Sequence, residues 1–567
     1  MPQPTPEAPA TPVRDVADAY VRTLAEIDPA LATSLGTRPD EDRLPDLSPA
    51  GQAVKDDLRR STLAALDALP PEARAADADE RRCARLLRER LGAALDMSEA
   101  GEHLREVSNI FGPMHQVRSI FTMMPTGTAD QWAVVARRLG AVPGALAGYR
   151  ESLELGASRR LFAAPRQVST VVGQLGQWLA AGNGAGWFAE FAADADVPAA
   201  LRADLDTAAA GAARAVAGLR DWMSDVYLPQ ADGTPDGMGE ERYLRSARFW
   251  TGARLDLAEV QDWGWQEYCR IRDEMKDEAH RVLPGASPAE AMRYLDEHGT
   301  AVDGVAQVRE RLQQMMDEAV GSLDGTHFDM AEPIRRVEAM IAPAGSAAAP
   351  YYTRPSQDFS RPGRTWLPTL GRTRFPEWSL ISTWYHEGVP GHHLQLAQWV
   401  HIADRLSVFQ TSVGGISACS EGWALYAERL MDELGYLKSP GARLGYLDAQ
   451  MLRAARIVVD LGMHLGLTVP ADSPVGAGQT WTPELAGEFF RASSGEPPAF
   501  IDSEIVRYLS APGQAISYKL GERAWLAGRS AAQAARGASF DLKAWHMAAL
   551  SLGSLGLDDL TDELARL

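Results

Sequence analysis

Along most of the chain, apolar residues recur at three- and four-residue intervals, the spacing that lines one face of an α-helix. The first such run passes through Val16, Tyr20, Leu24 and Ile27; others pass through Leu63, Leu66 and Leu69, and through Leu86, Leu87 and Leu91. Further amphipathic helices are predicted over 132–155, 198–226, 257–282, 288–296 and 302–323, separated by breaks such as Leu283-Pro284-Gly285. Between about residues 334 and 376 the period changes to two. There 336–341 and 364–367 alternate like strands of a small antiparallel sheet among Pro- and Gly-rich turns. Helical spacing returns over 378–400, 420–434 and 444–567. The expected fold is mainly α with that small sheet placed before a helix rich in chemistry. A working partition is a leader, 1–12, an N-terminal helical part, 13–330, and a C-terminal part, 331–567, holding the sheet and the candidate site. No fixed-period repeat is present, so a solenoid is not expected.

Composition narrows the class. The 567 residues suffice for several domains or one large helical body, and 46% hydrophobic with 23% charged residues is ordinary globular usage. A formal net charge of −20 repels phosphate backbones and anionic lipid, so neither nucleic acid nor membrane is an expected partner. Cys83, Cys269 and Cys419 lie far apart and make neither a disulfide framework nor a cysteine zinc cluster. The first eleven residues show no basic start followed by an apolar run, and no apolar stretch approaches the roughly 20 residues that span a bilayer. A cytoplasmic location is expected.

Candidate chemistry concentrates in Trp384-Tyr385-His386-Glu387-Gly388-Val389-Pro390-Gly391-His392-His393. A metal that activates water needs imidazoles or carboxylates on converging elements, with an ionisable group beside them. The zincin helix meets this need with His at i and i+4 and a general-base Glu at i+1. His386 and Glu387 fill the first two places, but i+4 is Pro390, which cannot ligate. On a straight helix His393, at i+7, would lie about 10 Å along the axis from His386. Pro390 removes a helix donor and Gly391 tolerates unusual dihedrals, so the pair is expected to kink the helix or loop out of it. With two residues looped out, His392 takes the second ligand place in preference to His393. The third ligand is expected from a following helix at Glu421. Glu428, seven residues on and on the same face, would orient an imidazole or an arginine. The competing reading makes Glu421 a helix-terminal charge behind Ser420 as N-cap.

These residues resemble the bacterial domain-of-unknown-function family 885, whose members are placed by similarity among zinc-dependent zincin peptidases. The resemblance spans nearly the whole chain. It rests on His386-Glu387-x-x-Pro390-Gly391-His392-His393-Leu394-Gln395, Glu421-Gly422-Trp423-Ala424, Asp460-Leu461-Gly462-Met463-His464 and Pro512-Gly513-Gln514-Ala515-x-x-Tyr518, with Ser360-Arg361-Pro362-Gly363 and the segment Pro29 to Gly36. It implies a zincin-like helical metallopeptidase fold holding one zinc ion, although the same ligand types also accept other divalent metals. Similarity to helical gluzincins implies that a downstream tyrosine and histidine donate hydrogen bonds to the tetrahedral oxyanion. Tyr518 and His464 are the candidates, with Tyr508 in reserve and Asp460 beside His464. Asp460 and His464, at i and i+4, also read as a plain helix-surface pair, and Tyr518 as a core tyrosine. Arg361 or Arg507 suits a substrate carboxylate, and an extended substrate is expected to pair with the strand around Trp366. The expected function is metal-dependent hydrolysis of a peptide or small amide with Glu387 as general base. The alternatives are an amidohydrolase that acts on a modified metabolite through the same site, and a catalytically silent peptide- or metal-binding protein. The oligomeric state is left open, a homodimer being one option.

Overall fold

The computed structural model describes residues 11–74, 77–342 and 349–567, so the leader expected over 1–12 lies almost wholly outside the described residues. Helix α1 (Pro12–Ile27) already begins at Pro12, where the fixed proline φ suits the first helical position. The chain divides into two units: one holds the residues up to Met238 together with Ser503–Ala511, and the other Gly239–Asp502 with Pro512–Leu567. The division thus falls at Met238, not near residue 330. Periodicity shows which face of a helix is apolar, but not which distant helix covers that face.

The first unit is helical. Besides α1 it contains α2 (Pro49–Ala68), α3 (Ala78–Glu99), α4 (Ala129–Ser158) and α5 (Ala199–Trp222). α4 and α5 pack together through Val135, Leu139, Val142 and Leu146 on one side and Leu205, Ala209, Ala212 and Val216 on the other. Each series follows the three-to-four-residue spacing that keeps a stripe on one face. Burying a Leu or Val side chain contributes about 1.5–3 kcal/mol, which makes this pair the stabilising spine of the unit.

The second unit carries the candidate chemistry on packed helices beside two small sheets. α6 (Leu257–Val282) packs along α11 (Pro440–Leu465), and a Cβ on Gly264 would lie 2.4 Å from Ile457 Cγ2. α10 (Ser417–Glu433) meets α12 (Ser517–Arg536) at Gly422 and Gly521, where a Cβ on Gly422 would lie 2.3 Å from the Gly521 carbonyl carbon. Only glycine permits that approach.

β1 (Ala301–Asp303) pairs antiparallel with β5 (Arg374–Pro376). β2 (Val337–Ile341) pairs parallel with β4 (Gly363–Leu367), whose other side pairs antiparallel with β3 (Tyr351–Thr353). The expected antiparallel sheet is therefore mixed, and the two strands read from the sequence run parallel, because the connection between them carries β3. Trp366 sits on β4, the central strand, so the edge pairing expected there is corrected: the outer edges belong to β2 and β3. Val302, expected in a helix, lies in β1; α7 (Val305–Leu323) starts only after Gly304, whose φ of 101° breaks the helix. Among the described residues no helix is long and apolar enough to cross a membrane.

Candidate metal centre

The helical segment 378–400 is interrupted at Pro390-Gly391, where a kink or loop is expected, and forms two helices, α8 (Ile381–Glu387) and α9 (His392–His401). α8 closes with the Gly388 N–H on the Trp384 carbonyl at 2.9 Å, after which the chain turns through a cis Val389-Pro390 bond. The Gly391 N–H then reaches back to the Tyr385 carbonyl at 3.0 Å. A Cβ on Gly391 would lie 1.9 Å from the His386 carbonyl oxygen, so this turn accepts only glycine. From α10, the Trp423 indole N–H donates to the Pro390 and Gly391 carbonyls at 2.9 and 3.1 Å, satisfying groups that the broken helix leaves without partners. On an unbroken helix His392 would lie about 9 Å along the axis from His386 and off its face. The break instead brings the two rings to a centroid separation of 4.8 Å, nearly perpendicular at 85°.

His386, His392 and Glu421 each offer a ligand atom, and these atoms all lie within 4.8 Å of one another. The two imidazole Nε2 atoms are 3.3 and 3.6 Å from the same oxygen, Glu421 Oε2. Ligand atoms held about 2.0–2.1 Å from one tetrahedral ion stand about 3.3 Å apart, so this spacing fits a shared cation. Glu421 lies inside α10, which starts at Ser417, so Ser420 does not cap that helix. One heptad on, the fully buried Glu428 accepts a hydrogen bond from His386 Nδ1 at 2.8 Å and another from the Ser382 hydroxyl, one turn earlier on α8. The Nδ1 proton so placed leaves the His386 Nε2 lone pair facing the Glu421 carboxylate. Two lone pairs in that relation repel unless a proton or a cation lies between them.

The electrostatics express the same demand. Burial alone would lower His386, but the hydrogen bonds to Glu421 and Glu428 and the charge of Glu387 outweigh it and raise its pKa to about 9. Burial alone would raise Glu421, yet the two imidazoles hold it far below the usual carboxylate range. Glu387, only 8% exposed, is pushed up by burial against the pull of His392 and His386. It is thus a basic carboxyl next to a point that attracts positive charge.

The remaining candidates separate. His393 turns away from the cluster: its Nε2–H donates to the Ile334 carbonyl at 2.7 Å and its Nδ1 lies 3.0 Å from the Tyr352 hydroxyl. Burial holds it down to about 4, and it serves to fasten α9 to β3. Asp460 and His464 lie near the C-terminal end of α11, one turn apart. There Asp460 accepts from the Tyr243 hydroxyl at 2.6 Å and the Gly513 N–H at 2.9 Å, with His464 Nε2 3.6 Å from its other oxygen. Asp460 thus pins the Pro512-Gly513 turn, with His464, the expected oxyanion donor, packed beside it.

Tyr518 is half-buried at the start of α12, with the Arg456 guanidinium 4.7 Å from its ring centre. Arg361 is exposed on the turn before β4, its backbone N–H on the Ser356 hydroxyl at 2.9 Å. Arg507 and Tyr508 belong to the first unit and share Glu504, at 2.8 Å from Arg507 Nε and 2.6 Å from the Tyr508 hydroxyl. A guanidinium already paired with a carboxylate is a poor receptor for a substrate carboxylate. Two residues escaped the sequence reading, Ser382 and Arg453. Ser382 carried a usable signal, four residues before His386 on the same helix face; Arg453, whose NH2 is 3.8 Å from Glu428 Oε1, carried none.

Comparison with known proteins adds a family and a fold. The family described as a bacterial protein of unknown function (DUF885) matches residues 29–564. A structure from Colwellia psychrerythraea, provisionally called a lipoprotein, is 23% identical over 98% of each chain, with a TM-score of 0.82. Another from Shewanella oneidensis, provisionally called a lipoprotein of unknown function, is 18% identical over 98% of this chain and 99% of that one, with a TM-score of 0.76. At these identities the likeness shows the fold alone. No curated protein matches the chain.

Proposed function

The chain belongs to the DUF885 family of bacterial proteins, and we propose that it is a zincin-like hydrolase of peptide or small amide bonds that holds one divalent cation on His386, His392 and Glu421. The observation that supports this most is the convergence of two imidazole nitrogens on one carboxylate oxygen at 3.3 and 3.6 Å, beside the buried Glu387. Two nitrogens and one oxygen form a ligand set suited to zinc, and three protein ligands are the usual number at a catalytic zinc. A bound cation supplies Lewis acidity toward a carbonyl oxygen and lowers the pKa of coordinated water.

The chain's own residues then have distinct tasks. Glu387, raised by burial, takes a proton from water and returns it to the departing amine. Glu428 fixes the His386 tautomer and ring orientation. Tyr518 is the candidate donor to the substrate oxygen. A protein that only stored metal would have no use for a buried carboxyl at Glu387.

The test is metal analysis of the purified protein and of Glu387→Gln, with hydrolysis measured on a broad panel of peptides and amides. About one equivalent of metal in both, with turnover lowered about 10²- to 10⁴-fold in the variant, is the expected result. Absence of metal from both would refute the ion site. Metal without hydrolysis by the wild type would favour a binding protein.

A further inference from the structure

We propose that Arg453 is the substrate-anchoring cation of this site, and that the preferred substrates carry a free carboxylate next to the scissile bond, as a dipeptide, a C-terminal residue or an N-acyl amino acid does. The inference rests on the hydrolase reading and names the substrate class for that same site. α11 points Arg453 at the Glu428 carboxylate, and its NH2 lies 3.8 Å from Oε1, the same oxygen that holds His386 Nδ1 at 2.8 Å. The side chain is only 12% exposed. Its Nε is shielded and has no hydrogen-bond partner, and its NH2 meets Glu428 only at ion-pair distance, beyond hydrogen-bond reach.

A guanidinium has five N–H donors and remains charged in a protein, so leaving it without acceptors in a shielded place is costly. An arginine with a purely structural task closes on its carboxylate, as Arg507 does on Glu504 with Nε at 2.8 Å. Arg453 does not. The carboxylates around it are engaged elsewhere: Glu428 takes His386 and Ser382, and Asp448 takes the Gly495 N–H at 3.0 Å. The missing partner is thus a planar acceptor from outside the chain, and a carboxylate matches the fork of the guanidinium with two parallel hydrogen bonds. A singly charged carboxylate also suits this surrounding better than a phosphate, because Glu387, Glu428 and Asp448 all lie within electrostatic reach of Arg453.

Binding is read by calorimetry on the metal-loaded Glu387→Gln protein, using N-acetyl dipeptides of varied sequence and the C-terminal amide of each. The free acids are expected to bind about 10- to 100-fold more tightly than the amides. Adding Arg453→Gln should abolish that preference, and Arg453→Lys, which keeps the charge but not the fork, should reduce it. Arg453→Lys also carries the test if Arg453→Gln fails to fold. Equal affinity for acid and amide, no binding of any free acid, or a preference undiminished in both arginine variants would overturn the proposal. The readout needs no turnover. Absence of an acid preference in the protein that keeps Arg453, with wild-type hydrolysis intact, therefore counts against Arg453 alone, whereas an acid preference without wild-type hydrolysis counts against the catalytic reading alone.

Discussion

Replacing Glu428 by glutamine perturbs the cation site without touching a ligand. Glu428 is fully buried, and its two oxygens receive His386 Nδ1 at 2.8 Å and the Ser382 hydroxyl. The substituted amide would fill the same volume, and its oxygen could still accept from one donor. Its nitrogen can only donate, so with the amide oxygen on His386 Nδ1 the Ser382 hydroxyl has to turn from donor to acceptor, and the charge facing the imidazole disappears. A hydrogen bond to a charged group contributes about 1.5–3 kcal/mol. Changes in groups that orient metal-bound histidines typically lower metal affinity by about 10- to 100-fold, or about 1.4–2.7 kcal/mol, which agrees with that loss. The assay is zinc competition against a chromophoric chelator at fixed neutral pH, with far-ultraviolet circular dichroism as the control for folding. Glu428→Ala, which leaves both donors without an acceptor, should weaken binding further. A Glu428→Gln protein that is folded and binds zinc within about twofold of the wild type would refute the idea that this carboxylate sets the His386 lone pair.

Other expectations follow from the same geometry. His386→Ala and His392→Ala should each abolish stoichiometric zinc binding, whereas His393→Ala should retain it; elemental analysis of the three proteins distinguishes them. His393→Ala should instead lower unfolding stability by about 1–3 kcal/mol in denaturant titration, since the buried Ile334 carbonyl loses its donor. A proton and a cation compete for His386 Nε2, and without the cation the His386 pKa is raised to about 9. Apparent zinc affinity should therefore fall about tenfold per unit as pH drops below about 9, and level off above it, in competition titrations across pH. Gly422→Ala places a methyl 2.3 Å from Gly521 and should cost about 1–3 kcal/mol or more, read as a lowered thermal midpoint.

The candidate site was largely legible because its signals are local. Pro390 and Gly391 sit between two histidines whose spacing makes no sense on a straight helix, and the chain does break there, with Gly391 held against the His386 carbonyl. The seven-residue interval between Glu421 and Glu428 places both on one helical face, and both reach His386. Residues whose roles depend on a distant partner were less legible. Asp460 reads as a neighbour of His464 one turn on, and only the fold shows that the Tyr243 hydroxyl and the Gly513 N–H bond to it. Arg507 reads as a receptor for a substrate carboxylate until Glu504 is found three residues earlier and bonded to it.

The order of residues by itself determined the helices, because their apolar spacing, proline starts and glycine stops act over a few residues. It also determined the break between His386 and His392, for the same reason. Tertiary structure alone decided the rest. Strand direction came from how β4 is flanked, the division at Met238 from which helices cover one another, and the aim of His393 and Arg453 from the elements packed against them. Hydrogen-bond partners and burial are properties of surfaces assembled from distant parts of the chain, and no window of neighbouring residues contains them.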